Sequence, residues 1–397
     1  MTQKYRRRND FACKEIDTRD SGTTNKTEPP MNYVDEFRQS KVLTRQLTEL
    51  RNSVSHRWVI MDVCGGQTHA FLRYGLEAAV DDILELIHGP GCPVCVTPAE
   101  TIEDAISLAR DHGVLLASFG DMLRVPGTSG SLLQARTLGA DVRMVYSPMD
   151  ALQLAINNPT LDVVFFGVGF ETTAPATALA LLQAQRLNVS NFSVLSHHVR
   201  VEPAMRAILE QPNCRVQGFL AAGHVCTITG FSHYEDIVSR HRVPIVVTGF
   251  EPVDLLAGLT ECVRLLERQQ PELCNQYARS ARPAGNPRAQ QILDDVFQID
   301  TIPWRGFGLI SQGGLSLRAQ FRNFDARARF SLSSKSVPDD VECLSGAVLS
   351  GQIKPPQCPL FGNACTPDRP RGAPMVSSEG ACAAYFRYAQ TVEVSVE

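Results

Sequence analysis

Seven of the twelve cysteines in this 397-residue chain stand in patterns that suit metal or redox chemistry. One is a single thiol in MDVCGGQTHA, two form a CxxC pair in HGPGCPVCVTP, and four lie near the end of the chain. Thiolates bind soft metal ions, and a CxxC pair can cycle between dithiol and disulfide. The seven are Cys64, Cys92, Cys95, Cys343, Cys358, Cys365 and Cys382.

Cys64 follows the apolar run WVIMDV and precedes Gly65, Gly66 and the start of a helix near His69. Ligands of open α/β sheets bind at the carboxyl ends of strands, where glycines let them approach the backbone. A thiol at a helix N-terminus also has a lowered pKa, which favours thiolate. An inert buried cysteine in a glycine turn is the competing interpretation.

Cys92 and Cys95 follow the apolar run ILELI and precede Thr97-Pro98-Ala99-Glu100. That tetrapeptide predicts a capping box, with Thr97 as N-cap and Glu100 at the third helical position. The helix dipole would then lower the pKa of a cysteine and favour a redox-active pair. Half of a zinc site and simple packing are the alternatives.

The four late cysteines have proline directly after Cys358 and two residues after Cys365, which is typical of a loop-rich segment. Four thiolates so arranged suit a metal site. Their spacing does not distinguish structural zinc from an iron-sulfur cluster. Disulfides are the weaker alternative if the protein resides in a reducing compartment.

The composition indicates a cytoplasmic protein without an affinity for nucleic acid or membranes. The net charge is -4 and the pI is near 6.2, so no basic field gathers anionic partners. No apolar stretch follows the N-terminal arginines, and no run reaches the ~18 residues that a membrane span needs. We therefore expect reduced thiols that serve as ligands or redox groups.

Short apolar runs alternate with helical stretches from about residue 57, which predicts buried parallel strands in βαβ units. We predict an α/β protein with two doubly wound, Rossmann-like parallel-sheet domains and a smaller loop-rich domain with the late cysteines. The expected boundaries are a disordered tail over 1–30, domain I over 31–144, domain II over 145–267 and the C-terminal domain over 268–397.

Three further motifs are expected at ligand-binding sheet edges. The segment 167–173 (GVGFETT) lacks a full glycine fingerprint and a P-loop lysine, so it predicts a turn lining an interdomain cleft and not a nucleotide site. His197 with His198, and His224 in GHVC, are predicted to be hydrogen-bonding groups at the edge of domain II. Glu379 is expected either to tune the late-cysteine site or to lie in the first turn of a capped helix.

Seven motifs in order carry a family resemblance from about Met31 to the C-terminus. They are MDVCGGQTHA, HGPGCPVCV, FGDMLRVPG, GFETT, GFEPVDLL, KPPQCPLFGNACTP and MVSSEGACAAY. Together they resemble the HypD family of [NiFe] hydrogenase maturation factors.

This resemblance implies two related α/β domains and a domain holding a [4Fe-4S] cluster. It implies a scaffold that works with the small chaperone HypC to build the Fe(CN)2CO unit of the hydrogenase large subunit, with cyanide arriving through HypE and HypF. Cys64 would hold the iron together with a HypC thiolate, and Cys92 and Cys95 would be the redox pair. The implied cluster ligands are Cys343, Cys358, Cys365 and Cys382.

One position departs from the family pattern, since Gln67 stands where CGGHTH has its first histidine. A glutamine forms hydrogen bonds but does not shuttle protons near neutral pH, so His69 remains the acid-base candidate of this motif.

The resemblance leads to the hypothesis of an electron path from the cluster through Cys92 and Cys95 to Cys64. A cluster supplies electrons singly and a dithiol supplies two. Two alternatives remain open: a cluster-dependent thiol-disulfide oxidoreductase, in which Cys64 is dispensable, and a binding protein stabilised by zinc on the four late cysteines.

Overall fold

The structure is a computed structural model that describes residues 38–332 and 342–389. The tail predicted over residues 1–30 lies outside these ranges. The strands are β1 (Trp58–Asp62), β2 (Leu84–His88), β3 (Leu115–Ser118), β4 (Val142–Met144), β5 (Val163–Gly169), β6 (Phe192–Val199), β7 (Gly218–Ala222), β8 (Ile245–Thr248), β9 (Leu273–Asn275), β10 (Phe297–Trp304) and β11 (Gly308–Leu317).

The α-helices of the described ranges are α1 (Ser40–Ser53), α2 (Gly65–Arg73), α3 (Leu76–Val80), α4 (Ala99–Asp111), α5 (Leu132–Thr137), α6 (Pro148–Asn157), α7 (Ala174–Arg186), α8 (Val201–Leu209), α9 (Gly223–Thr229), α10 (Glu235–His241), α11 (Pro252–Glu267), α12 (Pro287–Val296), α13 (Ala326–Arg329), α14 (Ser345–Leu349) and α15 (Ala381–Tyr388). Within those ranges, no helix is both long enough and apolar enough to cross a membrane.

The strands form two sheets, which confirms the predicted α/β class with two parallel-dominated sheets. The first sheet has the order β2-β1-β7-β8-β9, and its strands are all parallel. The second has the order β10-β11-β6-β5-β3-β4, in which the hairpin β10-β11 pairs antiparallel to β6. Strands buried on both faces carry continuous apolar runs, and β5 (VVFFGVG) is buried throughout.

The sheets do not follow the sequence-based boundaries. The break expected at 144/145 falls inside the second sheet, because β3 pairs with both β4 and β5. The first sheet joins β1 and β2 to β7, β8 and β9 from much later in the chain. The region 268–397 is likewise divided, since β9 completes the first sheet and β10-β11 extends the second. Parallel strands need crossover connections, which let a chain leave one sheet and return to it.

Residues 342–389 contain short helices and turns. Leu349 packs in a cluster with residues of the first sheet, and Ala373 and Val376 pack in a cluster with residues of the second. Helix α15 lies against α2, where Ala384 and Tyr385 share an apolar cluster with Leu72. The segment with the late cysteines therefore rests on the helix that begins directly after Cys64.

Candidate functional site

The three cysteine motifs meet at the carboxyl ends of β1 and β2. These strands are parallel neighbours, and their last residues, Asp62 and His88, are register partners. The loop after each strand carries one motif. The two loops are joined by a hydrogen bond of 2.9 Å from the Gly65 amide to the Gly91 carbonyl.

Two glycines allow this close approach. A methyl group on Gly91 would lie 2.2 Å from the backbone nitrogen of Cys64. A methyl group on Gly65 would lie 3.3 Å from Cβ of Cys92 and 2.7 Å from Cβ of Glu379. Glycine at these two positions thus brings Cys64, the CxxC loop and the C-terminal segment into contact.

We expect Gly91→Ala to lower the free energy of unfolding by about 3 kcal/mol, because its methyl group meets rigid backbone and the loop must move. Gly120→Ala is the matched control, since its methyl group would meet only the flexible Met144 side chain. Thermal unfolding of both variants measures the difference. Equal midpoints would contradict the close packing described here.

Cys64 is the N-cap residue of α2 and is only 2% exposed. Burial raises the pKa of Cys64. The Gln67 and Gly66 amides donate to the sulfur and lower this pKa, but by less than burial raises it. The prediction of a lowered pKa is therefore wrong, because desolvation outweighs the helix terminus. The Cys64 Sγ lies 3.7 Å from Nδ1 of His224, whose pKa burial lowers to about 4.

His224 was missed as a neighbour of Cys64. We expected it at the edge of a separate second domain, but it opens α9 directly after β7, which pairs with β1 in the first sheet. The signal was present in the sequence, since GHVC follows an apolar run just as the Cys64 motif does. What the sequence did not provide was the sheet to which that run belongs.

The CxxC pair is buried, with exposures of 2% for Cys92 and 0% for Cys95. The predicted capping box is wrong. Helix α4 begins at Ala99 with Pro98 as N-cap, and the Thr97 hydroxyl donates to the Pro93 carbonyl instead.

The pKa of Cys95 is raised, so the prediction that the helix dipole lowers it is wrong. Burial is the main cause, followed by Cys92, Cys382 and Glu379. The position of Gly65 between Cys92 and Glu379 also places the dithiol beside the C-terminal segment.

The four late cysteines line one cavity of about 20 Å³, whose other walls are mainly apolar. Cys365 is 7% exposed and its sulfur accepts a hydrogen bond of 3.3 Å from the Arg371 amide. Burial raises the pKa of Cys382, as do the negative charges of the other three late cysteines. In residues 38–332 and 342–389, no set of three or more Cys, His, Asp or Glu side chains has the geometry of a metal-ion site.

Residues 378–380 contact the helix that follows Cys64. His69 faces this segment, with Nδ1 3.0 Å from the Ser378 carbonyl and Nε2 3.4 Å from the Tyr388 hydroxyl. Glu379 is exposed by surface area, but the protein around its carboxyl partly desolvates it, and this desolvation and then Asp121 raise its pKa. It precedes α15, which begins at Ala381 with Gly380 as N-cap, so it does not lie in the first turn of a capped helix.

Gln67 is fully buried, and its side-chain amide bonds to the first sheet. Its Nε2 donates to the Ala221 carbonyl at 3.2 Å and to the Thr248 carbonyl at 3.1 Å, at the ends of β7 and β8. The amide thus ties α2 to two strands of the first sheet.

The sequence analysis also missed a buried ionic group formed by Asp62, Glu77 and His88. Burial opposes the charge of His88, but Asp62 and Glu77 raise its pKa to about 10. Burial likewise opposes the charge of Glu77, but His88 and then Lys354 lower its pKa to about 2. The signal was a charged or polar residue ending each of two apolar runs directly before a cysteine motif.

Two polar groups predicted at the edge of domain II bond to neighbours in their own region. The Glu171 carboxyl accepts a bond of 3.1 Å from the Val201 amide, and burial raises its pKa to about 7. His198 bonds to Thr177 at 3.2 Å and to Ser196 at 2.9 Å.

Comparison with known proteins agrees with the motif pattern. The family model described as "HypD: Hydrogenase formation hypA family" matches residues 39–389. Hydrogenase maturation factor HypD of Escherichia coli K12 is 46% identical over 91% of this chain and 99% of its own. The Azotobacter vinelandii factor of that name is 44% identical over 90% of this chain and 97% of its own. The HypD factor of Cupriavidus necator is 40% identical over 92% of this chain and 99% of its own. The chain therefore belongs to the HypD family of hydrogenase maturation factors.

Proposed function

We propose that this protein is a redox-active scaffold on which the Fe(CN)2CO unit of a [NiFe] hydrogenase is assembled. The observation that carries the proposal is the meeting of three cysteine motifs at one edge of the first sheet. In this proposal a HypC-type chaperone shares the iron, HypE delivers cyanide prepared with HypF, and the hydrogenase large subunit receives the product.

Cys64 is the residue we propose to hold the iron substrate. Low-spin ferrous iron with cyanide and carbon monoxide suits a soft thiolate ligand. Metal binding displaces the thiol proton, and the Gly66 and Gln67 amides support the sulfur as it gains negative charge. The neutral His224 ring near Cys64 offers a ring nitrogen at which that proton can be accepted.

The four late cysteines are the residues that would hold a [4Fe-4S] cluster. They fit such a group because four soft donors line one small, mainly apolar cavity, and a backbone amide already donates to one sulfur. Burial, and after it the charges of the other three late cysteines, raise the pKa of Cys382, so a bound cation would favour its thiolate. A bound cluster would supply single electrons beside the dithiol.

We propose that Cys92 and Cys95 reduce a thiocyanate carried on a partner's cysteine. The thiocyanate and two thiols give a free partner thiol, hydrogen cyanide and the Cys92–Cys95 disulfide. The S–CN bond breaks and one S–S bond forms. Two electrons pass from the dithiol to the thiocyanate. The two protons of the dithiol end on the partner sulfur and on the cyanide.

The burial of the dithiol weighs against a general thiol-disulfide oxidoreductase. Cysteines that exchange with external disulfides are partly exposed and have lowered pKa values. Cys95 has neither property. A buried pair beside Cys64 and Glu379 suits transfer to a group bound within the site.

Infrared spectroscopy of the protein co-purified anaerobically with its small chaperone tests the proposal. We expect cyanide and carbon monoxide stretching bands in the intact complex. A complex that contains both proteins and iron but lacks those bands would refute the scaffold role.

A further inference from the structure

A buried chain of hydrogen bonds and opposite charges connects the segments that carry the cysteines. His88 lies at its centre, with Asp62 at Nδ1 and Glu77 at Nε2, the latter at 3.3 Å. All three residues are at most 6% exposed. A neutral imidazole has one N–H to donate, so carboxylates on both ring nitrogens indicate an imidazolium.

The chain continues from Glu77 into the C-terminal segment. Glu77 Oε1 accepts hydrogen bonds from Lys354 Nζ at 2.6 Å and from the Tyr385 hydroxyl at 2.5 Å. Lys354 shortly precedes Cys358, and Tyr385 lies one helical turn after Cys382. The charges alternate along the chain, so each ion has an opposite charge as its neighbour.

At its other end the chain contacts both N-terminal cysteine motifs. Asp62 Oδ1 accepts a hydrogen bond of 2.7 Å from the Thr68 hydroxyl on α2, the helix that Cys64 caps. The Asp62 carbonyl accepts one of 2.8 Å from the Gly89 amide, which opens the CxxC loop. All three cysteine-bearing segments are therefore bonded to one continuous set of residues, the CxxC loop through the backbone of Asp62 and the other two through side chains.

Apolar residues of similar volume can hold buried elements together as firmly as an ion chain does. What hydrogen-bonded ions add is direction, because each bond requires its partner at one distance and angle. A shift of α15 would therefore change the hydrogen-bond geometry of Glu77, and through it the positions of His88 and Asp62. Both loops that carry the reactive thiols would move in turn.

We propose that His88 is a positioning residue that couples the arrangement of the late-cysteine segment to the thiols of Cys64, Cys92 and Cys95. The inference rests on the proposed function, in which these thiols act together. It predicts that a change at α15 alters the chemistry of the dithiol through His88.

The test uses the full chain with Thr68→Val and Tyr385→Phe, separately and together, since these hydroxyls lie at opposite ends of the chain of bonds. The readout is the equilibrium in which the Cys92–Cys95 dithiol and oxidised glutathione give the disulfide and two reduced glutathione molecules. The samples are incubated anaerobically until the ratio no longer changes, because a buried dithiol exchanges slowly with an external disulfide. Alkylation followed by mass spectrometry measures each species. We expect each single variant to shift the equilibrium constant by about tenfold and the double variant to shift it no further, because coupled contacts are not additive.

His88→Gln provides the second arm. In that background Tyr385→Phe should leave the equilibrium unchanged. Tyr234→Phe is the matched control, because Tyr234 is fully buried and its hydroxyl does not bond to the ion chain. The control should leave the wild-type equilibrium unchanged.

Additive shifts in the double variant, or an unshifted equilibrium in folded Tyr385→Phe, would overturn the coupling. The Thr68 and Tyr385 variants decide the question even if His88→Gln does not fold. Failure of the proposed function is separable, because it would appear as missing infrared bands in the wild-type complex whatever the glutathione equilibrium shows.

Discussion

Replacing Cys64 with alanine is expected to abolish the cyanide and carbon monoxide bands of the complex with the HypC-type chaperone. The reason is that Cys64 is the one thiol at the N-terminus of α2, where the Gly66 and Gln67 amides donate to its sulfur. Alanine leaves α2 in place but removes the proposed iron ligand. Infrared spectra and the iron content of the purified complex measure the effect.

Cys262→Ala is the control for this experiment. Cys262 is fully buried in α11 and packs in the core of the first sheet, far along the chain from the cysteine motifs. Its replacement should keep both sets of bands. Bands that persist at wild-type intensity in Cys64→Ala would show that the iron is held elsewhere.

Replacing Cys382 with alanine is expected to produce the second large effect. Wild-type protein purified without oxygen should be brown and contain about four iron atoms per chain in a cluster. Cys382 lines the late-cysteine cavity and adjoins the dithiol, so its loss removes one of four donors. We expect iron to fall below one atom per chain and the brown colour to disappear.

Cys214→Ala is the matched control, because Cys214 is half-buried like Cys382 but does not line the cavity. It should retain iron and colour. Colourless wild-type protein with one zinc ion per chain would instead support a structural zinc site.

Much of the fold could be predicted from local pattern, and the pairing of the strands could not. The runs WVIMD and VVFFGVG are strands, as a continuous apolar sequence predicts for parallel strands covered on both faces. Because all such strands have similar apolar sequences, the sequence of one strand does not indicate which strands pair with it. Nothing within GFLAA indicates that β7 lies beside β1, with β3 to β6 in a different sheet.

The candidate site shows a similar division. The sequence motifs provided the seven candidate cysteines, whose roles stay a prediction. The pKa of Cys64 and of Cys95 depends on burial by distant segments, so the expected lowering was wrong. The partnership of Asp62 with His88 requires knowledge that β1 and β2 are in register. Local sequence could not provide the C-terminal contacts of Glu77 and His69.

The alternation of the chain between the two sheets has a consequence for biosynthesis. The first sheet needs residues 58–88 and 218–275, and the second needs residues 115–199 and 297–317. Neither sheet can be completed while the ribosome has made only the N-terminal half, and such long-range pairing is slow.

The Cys64 and CxxC loops therefore emerge from the ribosome well before the strands and the C-terminal segment that bury them. During translation their thiols are exposed to oxidants and to stray metal ions. We therefore expect the nascent chain to need a reducing environment until residues 342–389 have been synthesised and docked.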